Sequence, residues 1–113
     1  MVITESVYHG WHLIVLEGKF IVRNLTVIRK AFERAEGEPV PEIAIDMSSV
    51  SQIDSSAITI LMNFQRRLIQ KDGRLVLFGL QPDIAEIFSI VGIDRLFRIC
   101  TDRGDFETLY AYQ

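Results

Sequence analysis

Residues 11–18, WHLIVLEG, narrow the possible folds of this chain more than any other stretch. Side chains of an extended segment alternate between two faces, so Trp11, Leu13 and Val15 form one row and Ile14 and Leu16 the other. Both rows are apolar, the mark of a strand covered on both faces or nearly so. His12 stands alone on the second row and is read as structural rather than as a ligand. The preceding segment, VITESVY, is joined to this one by His9-Gly10, where glycine supplies the positive backbone angle of a tight hairpin turn. The chain therefore opens with an antiparallel pair.

From about Asn24 to Ala35, apolar Leu25, Ile28, Phe32 and Ala35 recur at spacings of three and four with charges between them, which predicts an amphipathic helix stopped by Gly37, Pro39 and Pro41. EIAIDM reads as a short buried strand ending near Asp46, and SSVSQIDSS as turn-rich. A second helix follows. RLVLFGL is the next strand. Pro82 suits the first turn of a third helix with Ile84, Ile87, Phe88 and Val91 inward, ended by Gly92. LFRIC is a last strand, and DFETLYAY a fourth helix with Phe106, Leu109 and Tyr110 at helical spacing. The expected fold is α/β: a mixed sheet of about five strands in the order ββαβαβαβα, with right-handed parallel crossovers and about four helices.

At 113 residues, one domain spanning 1–113 is expected, with room for a single core. The 12 basic and 15 acidic residues leave a net charge of −3, and only Arg66, Arg67 and Lys71 cluster, so no nucleic-acid footprint is evident. No apolar run approaches the roughly 18 residues of a membrane span, and the start lacks a signal segment. A cytoplasmic protein without membrane or nucleic-acid partners is expected. Cys100 is the only cysteine, which leaves no internal disulfide and no multi-cysteine metal site; it is read as a small buried hydrophobe.

The chemistry concentrates in QIDSSAITI, residues 52–60. On a helical count from Thr59, Asn63, Arg66, Arg67 and Gln70 share one wet stripe, while Ala57, Ile60, Leu61, Phe64 and Leu68 form the dry face. Ser55 and Ser56 then flank the origin of the wet stripe, near solvent, in the first turn. Asp and Ser are preferred helix caps. A helix N-terminus also favours negative charge, so a phosphate there would be compatible with the fold. Capping by Asp54 and modification of Ser55 are compatible readings.

An apolar strand with Asp46, then VSQIDSSAI, then a helix, DGRLVLFGLQPDIAEIF and finally VGIDRLF together resemble the anti-sigma factor antagonists of the STAS domain class, over nearly the whole chain. The resemblance implies a mixed sheet covered mainly on one side by helices, and makes Ser55 the phosphoacceptor. It implies as partners an anti-sigma factor of the serine-kinase type, which modifies that serine with Mg-ATP, and a phosphatase that reverses it. Unmodified antagonist binds the anti-sigma factor and frees the sigma factor; the phosphorylated form lets go. Asp54, Ser55, Ser56, Thr59 and Asn63, with Lys19, Phe20 and Ile21, are the partner-binding residues so implied. Two departures stand out. Gly18-Lys19-Phe20-Ile21 replaces the Gly-Glu-Leu-Asp of many members, removing two acids from a loop that commonly engages the kinase, and Ala57 replaces a glycine.

Other chemistries fit less well. A phosphoaspartate receiver centred on Asp46 would need an acidic pair after the first strand, where only Glu17 stands. Hydrolysis at Ser55 lacks a nucleophile elbow and a base, since His9 and His12 both lie in the first hairpin. No phosphate-cradling glycine loop is present, and no cofactor or metal is expected. The remaining alternative is a module of the same class serving a transporter or sensory assembly. A binding module, not an enzyme, is the expected class.

Overall fold

The computed structural model describes residues 1–111. Its sheet has five strands in the order β1-β2-β3-β4-β5: Val2–Tyr8, Trp11–Phe20, Glu42–Ile53, Arg74–Phe78 and Arg98–Cys100. The first pair is antiparallel and every later pair parallel. Helices α1 (Leu25–Glu36), α2 (Ser55–Gln70), α3 (Pro82–Ile90) and α4 (Arg103–Phe106) fill the connections and close the described chain. The element order expected from the sequence is the order found.

The hairpin turns at His9 and Gly10, both with positive φ. Strand β2 is buried on both rows. Ile14 and Leu16 join the main core under α1, α2 and α3, whereas Trp11 and Leu13 belong to a second cluster with Ala44, Val76, Phe78, Cys100 and Phe106. The sheet thus carries three helices on one side and a small cap, α4 with the π-helical turn Glu107–Ala111, on the other. His12 Nε2 donates to Glu5 Oε1 at 3.1 Å, a structural contact within the hairpin. Arg34 of α1 also donates to Glu5, tying the first helix to the edge strand. Burial raises the Glu5 pKa, but these hydrogen bonds outweigh it and hold the carboxyl below its ordinary range.

Several boundaries differ from expectation. Strand β3 does not end at Asp46; SSVSQI continues it to Ile53, because β2 itself runs on to Phe20 and offers Glu17, Gly18, Lys19 and Phe20 as partners to Ser49, Val50, Gln52 and Ile53. Two register shifts accommodate this extension. Lys19 and Phe20 are consequently strand residues rather than loop residues. A 3-10 turn, Val22–Asn24, precedes α1, and β5 begins at Arg98, leaving Leu96 and Phe97 in the turn before it. In α3 only Ile84 and Phe88 are buried; Ile87 and Val91 are exposed, because a nine-residue helix on a narrow contact buries one row. The single fourth helix resolves into α4 and the π turn, with Phe106 buried and Leu109 exposed. Tyr112 lies outside the described residues.

Cys100 is buried beneath the cap, and desolvation, with Asp105 and Asp102 nearby, pushes its thiol up to about 11. It is the inert hydrophobe its sequence context suggests. Among the described residues no helix is long and apolar enough to cross a membrane.

Candidate functional site at the entrance of the second helix

Helix α2 is amphipathic in the way its sequence dictates. Ala57, Ile60, Leu61, Phe64 and Leu68 are buried, while Thr59, Arg66 and Gln70 are exposed and Asn63 and Arg67 half-buried. The Phe64 ring stacks on Phe32 of α1 with centroids 4.2 Å apart and planes 11° from parallel. This aromatic contact forms part of the packing between the two helices. Each connects neighbouring parallel strands and both pack into the same core, so they run side by side in the same direction.

Asp54 caps α2. Its extended backbone brings Oδ1 within 3.0 Å of the Ser56 N–H and 3.2 Å of the Ala57 N–H, both of which donate to it. Ser56 Oγ donates to the same oxygen. Oδ2 accepts from the Val22 N–H at 3.0 Å, fixing the helix entrance to the turn before α1. The Ser56 hydroxyl, then these backbone donors, hold the Asp54 pKa below its ordinary value. The cap is therefore an ionised carboxylate with its oxygens committed.

The two serines consequently differ. Ser56 spends its hydroxyl on the cap and is half-buried, whereas Ser55 is exposed and its Oγ has no hydrogen-bond partner among the described residues. The backbone carbonyl of Ser55 accepts from Thr59 Oγ1 at 3.1 Å. Ser55, Thr59 and Asn63 look into a cleft of about 660 Å³ between α1 and α2, whose opposite wall includes Arg29, Phe32 and Glu33. At its far end Arg67 donates to both carboxylate oxygens of Glu36 at 3.0 Å, and Lys71 donates to the Glu36 carbonyl.

Of the remaining candidates, Lys19 is exposed and Ile21 half-buried next to the Asp54-linked turn. Phe20 is 0% exposed and packs on Phe32, so it is a core residue and offers no contact to a partner. The apolar residue at that position is explained by burial. Ala57 is also fully buried.

Asp46 is not a strand-end turn residue. It is buried within β3; Oδ1 accepts from Ser48 N–H (2.9 Å) and Oγ (2.6 Å), and Arg103 donates to Oδ2 at 3.0 Å. Arg103 also lies over the Tyr8 and Phe78 rings, 5.1 and 5.9 Å from their centroids. Asp46 thus anchors α4 to the sheet. Ile53 stands seven positions further along the strand, roughly 23 Å at the usual rise, so Asp46 does not act with Asp54. Among the described residues no group of three or more His, Cys, Asp or Glu is placed to hold a metal ion.

Sequence reasoning missed Arg103 as the partner of Asp46 and the α1 wall of the cleft. The wall had a signal: Arg29, Glu33 and Glu36 recur at spacings of four and three beside the apolar stripe of α1.

Comparison with known proteins accords with this architecture. The anti-sigma-B factor antagonist of Listeria monocytogenes is 26% identical over 80 residues, spanning 71% of this chain and 70% of that protein. An anti-sigma factor antagonist from Mycobacterium paratuberculosis superposes with a TM-score of 0.84 at 18% identity, covering 95% of this chain and 91% of that one. The Bacillus cell fate determinant SpoIIAA in its phosphorylated form superposes with a TM-score of 0.71 at 19% identity, covering 96% and 99%. The STAS domain model matches residues 3–106, and with that match, on the five-stranded mixed sheet described above, the chain belongs to the STAS domain family.

Proposed function

We propose that this protein is an anti-sigma factor antagonist: a cytoplasmic, non-enzymatic binding module whose unmodified form binds an anti-sigma factor of the serine-kinase type and so releases the sigma factor. Phosphorylation at Ser55 abolishes that binding, and a phosphatase restores it. The observation that carries the reading is the division of labour between the adjacent serines, with Ser56 bound to the cap and Ser55 exposed and unbonded at the cleft. A kinase can reach the second hydroxyl without opening the fold. The names of the relatives support the partner class, and one of them has been solved in a phosphorylated form.

The docking surface is the exposed start of α2, with Asp54, Ser55, Ser56, Thr59 and Asn63, extended by Lys19 and Ile21 from the neighbouring turn. A phosphate at Ser55 adds about −1.5 to −2 charges to a surface that a partner fits around a neutral hydroxyl. Each 1.4 kcal/mol of the resulting desolvation and repulsion weakens binding about tenfold. No rearrangement of the domain is required.

Incubation with a serine-kinase anti-sigma factor and Mg-ATP tests the reading. Phosphate should map to Ser55 by mass spectrometry and disappear in Ser55→Ala; modification elsewhere, or none, refutes it. Service in a transporter or sensory assembly is the second reading, favoured by the absence of acids at Lys19 and Ile21; a transporter subunit retained by the purified domain would establish it.

A further inference from the structure

A phosphate on Ser55 meets a helix entrance that is already occupied. The Ser56 and Ala57 N–H groups donate to Asp54 Oδ1, as does the Ser56 hydroxyl. Part of the usual attraction of a helix N-terminus for an anion is already taken up by the cap, and the added dianion stands one residue from a fixed carboxylate. No cation stands on α2 before Arg66, so a compensating charge comes from another element.

The register of the two helices identifies that element. The Val22–Asp54 hydrogen bond marks one end of the α1–α2 pair and the Glu36–Arg67 ion pair the other. Arg29, one turn past Leu25, therefore lies alongside the second turn of α2, near Ile60, and it lines the same cleft as Ser55 and Thr59. Three cations line this cleft. Arg67 is held by Glu36 and Lys71 by the Glu36 carbonyl, whereas Arg29 has no ion pair among the described residues, even with Glu33 one turn further along its own helix.

We propose that Arg29 is the built-in counter-ion of phosphorylated Ser55, its guanidinium crossing the mouth of the cleft to bind the phosphate oxygens. The inference rests on Ser55 being the phosphoacceptor. Arginine suits the task because its planar fork can bind phosphate bidentately and stays charged at any physiological pH. The same contact makes the switch act twice. Modification adds negative charge at Ser55 and simultaneously withdraws a free cation from the cleft beside the docking surface.

Phosphoserine installed at position 55 during translation gives the modified protein without any kinase. The ³¹P signal, titrated through the second phosphate ionisation, should show a pKa lower in the otherwise unaltered chain than in Arg29→Gln by about half a unit or more, with Arg29→Lys retaining part of the shift. In the unsubstituted chain, the Arg29 Nε–Hε resonance should move on phosphorylation. Identical titrations in folded Arg29→Gln and the unsubstituted chain, or an unmoved Arg29 resonance, overturn the proposal. A kinase that fails to label Ser55 would instead refute the proposed function and leave these results as they stand.

Discussion

Truncating Phe64 to alanine removes the ring through which α2 stacks on α1, and its effect follows from burial. Phe64 is 0% exposed, and Phe32, itself 1% exposed, lies 4.2 Å away ring to ring. Phe→Ala substitutions at such sites cost about 3–5 kcal/mol, from lost transfer energy plus the cavity left behind. That is about a fifth or more of the roughly 5–15 kcal/mol holding a typical domain together. At roughly 4 °C per kcal/mol for a chain of this size, Tm should fall by about 12–20 °C. Urea denaturation followed by circular dichroism gives the free energy directly. Phe64→Leu, which keeps most of the apolar volume, should cost less than half as much. A loss below about 1 kcal/mol for Phe64→Ala would show that the aromatic stack does not hold the two helices together, and that the cleft beside Ser55 is shaped by something else.

Asp54 and Glu5 both have lowered pKa values in the fold, so their ionised forms favour the native state at neutral pH and that contribution is lost as pH falls below about 4; urea midpoints measured between pH 6 and 2.5 should decline, and less steeply in Asp54→Asn. Gly73→Ala should destabilise by about 1–3 kcal/mol, because a Cβ there would stand 2.4 Å from the Pro41 carbonyl oxygen, a backbone atom with little room to move. Cys100 should resist thiol reagents at pH 7.5 until urea unfolds the chain, as its raised pKa and burial require; fast labelling of the native protein would contradict the packing of the α4 cap.

The periodic parts of this fold were legible in the sequence. The doubly apolar β2, the His9-Gly10 turn and the stripes of α1 and α2 all follow local rules, and they fix the order of elements. The second half of β3 was not legible, because SSVSQI has the composition of a turn and becomes a strand only through pairing with the end of β2. Phe20 is open in the sequence to two readings, an exposed apolar contact or a core residue, and the same strand pairing makes it core. At the site, capping by Asp54 could be read from residue type and position. The commitment of Ser56 rather than Ser55 to that cap depends on side-chain geometry within one turn, and the cleft on the spacing of two helices, neither of which a linear pattern records.

A negative charge at position 55 should leave the domain intact and displace its partner. Ser55→Asp measures both halves at once. Because Ser55 is exposed and unbonded, its Tm should stay within about 2 °C of the unsubstituted protein. Calorimetric titration against the kinase-type anti-sigma factor should show affinity reduced by about 30-fold or more, from a penalty of about 2 kcal/mol or above. Undiminished affinity in a folded Ser55→Asp protein, or unfolding caused by that substitution, would contradict the account.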